Sequence, residues 1–146
     1  MSWVLYLVKV ISFYILVAPS LLKLSLSSYV AVQIIYAILM VVVAILTLKA
    51  TLADTTDPLV TAAKALKEVD FSAIKDFTYK CSLCSSFVHD RTKHCGSCNK
   101  CTLDFDHHCM WLNNCIGSAN YATFFQLIVA VWSFVAFHFA FTVYAL

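Results

Sequence analysis

Three apolar runs, residues 3–22, 29–48 and 121–146, each hold enough consecutive hydrophobic side chains to cross a bilayer. At about 1.5 Å of rise per residue, a helix of such a run matches a hydrocarbon core about 30 Å thick. Of the 146 residues, 62% are hydrophobic and only 12% charged, and the mean hydropathy is +0.83. Soluble domains are far more polar. The chain therefore reads as an α-helical membrane protein. Its first two runs form a helical hairpin across a short polar break at residues 23–28, and the third span follows a polar middle segment. Lys9 interrupts the first run, where its long stem can snorkel to the headgroups. Pro19 lies near that run's far end, where neighbouring groups can satisfy the freed carbonyl. The run lacks a small-x-small cleavage site and is read as an uncleaved span. His138 lies within the third run, where a lone histidine is expected to be packed or hydrogen-bonded rather than a ligand.

Charge orients these spans. Eight of the ten Lys and Arg residues fall within residues 49–100, so the positive-inside bias places the middle segment, and with it the N-terminus, in the cytosol. A net charge of +2, with no basic stripe, excludes nucleic-acid binding. Asp57-Pro58 reads as a helix start, with Asp as N-cap and Pro in the first turn. Leu59, Ala62, Ala63, Leu66, Val69 and Phe77 then make a loosely amphipathic stretch, either on the membrane surface or as a packed linker helix. No internal repeat is visible beyond paired cysteines. The expected division is a transmembrane hairpin at 1–48, a cytosolic linker at 49–80, a cysteine-rich module at 81–120 and a third transmembrane helix at 121–146.

All seven cysteines, Cys81, Cys84, Cys95, Cys98, Cys101, Cys109 and Cys115, fall within the polar segment, interleaved with His89, His94, His107 and His108. In the cytosol thiols stay reduced, so such a cluster points to metal or catalysis rather than disulfides. Structural zinc takes four Cys or His ligands in a tetrahedron. Two such sites use eight of these eleven groups and leave three, and spacing alone does not say which three. The Cys-x2-Cys pairs suit zinc because a tight turn aims both sulfurs at one ion, and Gly96 is expected to ease the second turn. Two zinc ions would replace the hydrophobic core that so short a polar segment cannot build. If the leftovers include Cys109 and an adjacent histidine, the chain has a nucleophile beside a base, with Asp106 available to fix the imidazole tautomer. A thiol suits acyl transfer because it attacks a thioester at near-equal energy and leaves again, and imidazole near pH 7 can take its proton.

The pattern Cys81-x2-Cys84-x9-His94-Cys95-x2-Cys98-x2-Cys101-x4-Asp106-His107-His108-Cys109-x5-Cys115-x4-Asn120-x3-Phe124 resembles the DHHC family of protein S-acyltransferases, or palmitoyltransferases. The motif covers about the central third of the chain. The resemblance implies a zinc-bound module of short hairpins between the second and third spans. One zinc would take Cys81, Cys84, His94 and Cys101, and the other Cys95, Cys98, His108 and Cys115. Cys109 would then be the nucleophile, His107 the base and Asp106 its orienter.

The implied reaction has two steps. Cys109 takes a long-chain acyl group, typically palmitoyl, from acyl-CoA, then passes it to a cysteine of a membrane-proximal substrate protein. The bilayer would hold the acyl chain between the spans while the CoA head stays in the cytosol. Arg91 and Lys93 are candidate contacts for the CoA phosphates. Golgi or endoplasmic reticulum is the implied location. Asp57-Pro58-Leu59 resembles the family's Asp-Pro-Gly element with leucine for glycine. Met110 stands where proline usually follows the tetrad, and Val88-His89 occupies the usual Lys-Pro, with His89 expected at the surface. The family's fourth span and Thr-Thr-x-Glu element have no counterpart before Leu146. The expectation is a fragment or a divergent short form, and the rival function is a non-catalytic, zinc-stabilised membrane adaptor.

Overall fold

The computed structural model describes residues 2–65 and 77–146. Three helical stretches are long and apolar enough to cross a membrane: Trp3–Lys23, Leu26–Leu52 and Tyr121–Ala145. The chain divides into two compact units, one of Met1–Leu48 with Phe125–Leu146, the other Lys49–Phe124.

In the first unit the opening span is not one regular helix. α1 (Ser2–Ser12) continues through a π-turn, Phe13–Val17, into a 3-10 stretch, Ala18–Lys23. The cause is Pro19. A proline ring clashes with the carbonyl four residues back and offers no N–H, so the preceding turn widens and Pro19 sits at the start of the tighter 3-10 segment. α2 (Leu26–Leu52) begins earlier and ends later than its apolar run, because Ser27, Ser28, Lys49 and Thr51 are compatible with helical backbone even where they leave the hydrophobic stripe. α4 (Tyr121–Ala145) completes the set.

Aromatic packing joins these helices. Tyr36 stacks on Phe13 at a centroid distance of 3.6 Å, and both are fully buried. The Tyr36 hydroxyl donates to the Lys9 carbonyl at 3.1 Å and lies 3.4 Å from His138 Nδ1. His138 is thus packed and hydrogen-bonded. Trp132 and Phe139, by contrast, are 71% and 67% exposed, an apolar surface that lipid would cover.

The second unit begins with the end of α2 and a short α3 (Pro58–Ala65). Asp57 caps it, its Oδ1 accepting the Leu59 N–H at 2.8 Å, with Pro58 at the first helical position. Leu66 and Val69, and the side chain of Phe77, lie outside the described residues, so the amphipathic stretch is seen only through its first part. Among the described residues the rest of the unit is six short strands in three antiparallel pairs: β1 (Phe77–Cys81) with β2 (Ser86–His89), β3 (Lys93–Cys95) with β4 (Lys100–Thr102), and β5 (His107–Cys109) with β6 (Asn114–Ile116).

Among the described residues an apolar cluster of the unit holds Val60 of α3 and Val88, both fully buried, beside Cys81 and Cys101. Where the chain leaves β6, Gly117 passes close to the segment after β4. A Cβ there would fall onto the Leu103 carbonyl and within 2.7 Å of Thr102 Cγ2. Gly117→Ala is therefore expected to destabilise the unit by about 2–3 kcal/mol through overpacking. A drop in the melting temperature of the zinc-loaded protein in detergent measures it.

Candidate active site and metal centres

The three hairpins are repeats of one design. Tyr79 pairs with Val88, Lys80 with Phe87 and Cys81 with Ser86. The same register recurs 14 residues on, where His94 pairs with Cys101 and Cys95 with Lys100, and again where His108 pairs with Cys115 and Cys109 with Asn114. Each turn closes on a residue with positive φ: Ser85, Asn99 and Asn113. Asn and Ser tolerate this left-handed conformation better than bulkier residues. Gly96 does not have positive φ, and a Cβ on it would meet nothing within 4 Å. The expectation that Gly96 shapes the turn is thus corrected: Asn99 does. The expectation of no internal repeat beyond the paired cysteines is corrected as well, since strand register and turn conformation repeat with them.

This repeat explains how the metal ligands meet. The turn of the first hairpin offers two sulfurs to the imidazole and cross-strand sulfur on the strands of the second, and the turn of the second offers two to those of the third. Cys81 and Cys84 gather with His94 and Cys101, and Cys95 and Cys98 with His108 and Cys115, with all ligand atoms of a quartet within 4.8 Å of one another. The three sulfurs of the first quartet lie 3.9, 3.4 and 3.8 Å from His94 Nδ1. Those of the second lie 3.7, 3.3 and 3.9 Å from His108 Nδ1. A tetrahedral zinc with its usual bond lengths to sulfur and nitrogen requires an S···N edge of about 3.6 Å. Both quartets have that size, with Nδ1 as the imidazole donor.

Their electrostatics call for a cation. Burial, together with hydrogen bonding to Cys81 and Cys84, pushes the Cys101 thiol well up. Burial does the same to Cys115, which reaches about 12. At Cys81 and Cys95 burial also raises the thiol, but backbone N–H groups of the Cys-x2-Cys turns outweigh it and bring both down. In each quartet one thiol held down and another pushed up stand within reach of each other, and a divalent ion makes such crowded sulfurs compatible as thiolates. The chain thus carries two Cys3His zinc-binding sites.

Cys109 is the one cysteine in neither quartet. In the repeat it occupies the slot of Cys81 and Cys95, the first sulfur of a turn. Leu112, 5% exposed, stands where Cys84 and Cys98 stand. Side chains alternate along a strand, so His108 turns to the metal while His107 and Cys109 share the other face. His107 Nδ1 lies 3.3 Å from Asp106 Oδ2, and the ring meets Phe124 edge-on at 5.3 Å. Cys109 is buried, whereas His107 and Asp106 are about half exposed. Asp106 also lines an open cleft of about 410 Å³ with Arg91, Asp104 and Tyr121, a lining that includes neither His107 nor Cys109. Arg91 pairs with Asp104 at 2.8 Å. Lys93 is exposed at the start of β3 and is not among the residues lining that cleft.

His89 is not a free surface residue. Its Nδ1 lies 2.8 Å from Asp57 Oδ1, and its backbone N–H donates to Oδ2 at 2.9 Å. The Thr92 hydroxyl also donates to Oδ2, at 2.6 Å, and the Asp57 N–H donates to the Cys101 carbonyl. Burial raises the Asp57 carboxyl, but these hydrogen bonds, with that from Leu59 N–H, hold it below the usual carboxylate range. Its stabilising contribution is therefore present at neutral pH and is lost as the pH falls below the ordinary carboxylate value. Asp57→Asn keeps the shape but turns an amide toward donors, and is expected to cost about 3 kcal/mol. Chemical denaturation of zinc-loaded protein at neutral pH measures this. Asp57 and His89 are 32 residues apart, and no local pattern announces their contact.

Three membrane-capable helices and two Cys3His sites define an integral membrane protein with a zinc-ordered module of short hairpins. The profile of the DHHC palmitoyltransferase family matches residues 74–146, half of the sequence, and the chain belongs to that family. No curated protein matches it significantly.

Proposed function

We propose that the protein is a protein-cysteine S-palmitoyltransferase in which Cys109 is the nucleophile, His107 the general base and Asp106 its orienter. The observation that carries this is the Asp106–His107 contact two residues from the single cysteine left outside the zinc quartets. A carboxylate on Nδ1 selects the tautomer whose Nε2 can accept a proton. Cys109 Sγ gives its proton to His107 and attacks the thioester carbonyl of palmitoyl-CoA. The carbon–sulfur bond to CoA breaks as the new one forms, and the departing CoA sulfur recovers the proton from His107. In the second step a substrate cysteine gives its proton to the same imidazole and attacks the acyl group, and the Cys109 sulfur leaves with that proton. The eight quartet residues would hold two structural zinc ions, which would order the hairpins without entering the transfer.

Arg91, on the cleft that includes Asp106, and Lys93 are the proposed partners of the CoA phosphates. Membrane-associated proteins with accessible cysteines are the acceptors, because the donor's acyl chain partitions into the bilayer. The density of basic residues in the middle segment supports a cytosolic face for the module, and membranes of the Golgi or endoplasmic reticulum suit such a protein.

The test is incubation of the zinc-loaded protein with alkyne-tagged palmitoyl-CoA. A hydroxylamine-labile label mapping to the Cys109 peptide is expected. Its absence from protein holding two zinc equivalents overturns the enzymatic reading in favour of a zinc-stabilised adaptor.

A further inference from the structure

The reactive hairpin has an anchor that the catalytic reading does not use. Asn114 lies directly across from Cys109 in the β5–β6 pair and is 5% exposed. The two N–H groups of its amide are shared among three carbonyls, those of Ala50 at 3.1 Å and Thr51 at 3.1 Å in the last turn of α2 and that of Ala53 just past it at 2.8 Å. The last carbonyls of a helix have no intrahelical donor. They form the negative end of its dipole. Asn114 satisfies several of them with one group.

The other end of the same amide is also held. Its oxygen accepts the Cys115 N–H at 2.9 Å and lies 3.4 Å from Lys100 Nζ, while Lys100 Nζ is 3.8 Å from Asp54 Oδ1. These contacts fix the orientation of the amide, since a flipped group would set its oxygen against three carbonyl oxygens. Asn120 donates to the Ala50 carbonyl as well, at 3.3 Å, so α2 does not depend on Asn114 alone for its cap. Asn114 differs from Asn120 in standing opposite the free thiol.

We propose that Asn114 is a positioning residue: it clamps the strand pair that carries Cys109 to the final turn of α2, and so fixes where the sulfur stands. The proposal rests on Cys109 being the nucleophile. A misplacement of about 1 Å can cost about a hundredfold in rate, so the clamp has kinetic consequences even where the zinc sites are intact.

Two variants test it in the zinc-loaded protein. Asn114→Asp keeps the size and the acceptor for Cys115 but turns an oxygen toward the three carbonyls. Asn114→Ser withdraws the reach without adding charge. For at least one of them, with two zinc equivalents retained, we expect kcat for self-acylation by palmitoyl-CoA to fall about tenfold or more while KM stays within about twofold. In that same variant the rate of Cys109 alkylation by iodoacetamide should change by about threefold or more. An unchanged kcat with both zincs bound overturns the proposal. Loss of zinc from both variants overturns it too, because Asn114 would then be a residue of the fold. Alkylation needs no acyl donor, so it separates two failures: an unlabelled wild type sinks the enzymatic reading, whereas equal alkylation rates in wild type and variants sink the clamp.

Discussion

Cys109→Ser is expected to bind two zinc ions, melt as the wild type does and acquire no hydroxylamine-labile acyl group. The first half follows from geometry, because Cys109 contributes to neither quartet. The second follows from chemistry. Under the proposed mechanism the attacking atom is sulfur, and a thiol yields some anion at neutral pH and is intrinsically nucleophilic. A serine hydroxyl yields essentially none, and an oxyester formed there would resist hydroxylamine. The comparison variant is Cys98→Ser, which removes a ligand of the second quartet and should lose zinc together with labelling. Zinc analysis and in-gel detection of the tagged acyl group read both variants. A Cys109→Ser protein that kept the labile label would place the acyl group elsewhere.

The second large effect is that of metal removal. Two-stranded hairpins this short are not stable by themselves in water, and among the described residues the apolar cluster around Val60 and Val88 gathers only four buried side chains. Zinc affinities in comparable small modules amount to about 10–16 kcal/mol at neutral pH, and this energy appears as folding energy. Each quartet spans two successive hairpins, so an ion bound there would tie them together: the first the β1–β2 turn to β3–β4, the second the β3–β4 turn to β5–β6. A strong chelator is therefore expected to release two equivalents and abolish hydrogen-exchange protection throughout residues 77–116. His108→Ala should bind one equivalent and lose protection selectively in β5 and β6. A chromogenic zinc indicator and peptide-resolved exchange follow both. Equal loss of protection in all three hairpins of His108→Ala would show that the ions act as one unit rather than as successive links.

The spans were legible because a bilayer imposes one length and one polarity on any helix that crosses it. Their ends were less so: Lys49 and Thr51 leave the apolar stripe without leaving the helix. The hairpin repeat was hidden for a different reason. Its period is carried by backbone register, and the sequence shows it only where a slot happens to hold cysteine; Phe87 fills the slot of Cys101 and Cys115, and Leu112 that of Cys84 and Cys98. Ligand counting could establish two zinc sites but left open which groups were spare. Asp57, His89 and Asn114 lay beyond sequence reasoning in their contacts, though not in their types. A carboxylate beside a helix start reads only as a cap until the fold brings a histidine 32 residues away onto its second oxygen. Asn114 donates across more than sixty residues.

The third hairpin has one more consequence. A ladder in which every rung grips the next must somewhere have a rung with nothing to grip, and there the backbone still presents a sulfur in the posture of a ligand. The slot of Cys109 differs from those of Cys81 and Cys95 by its surroundings: Leu112 stands where a second thiol would, and α4 rather than another hairpin follows. Under the proposed mechanism, the attacking thiol is one whose posture is set by a metal-binding repeat and whose neighbours withhold the metal.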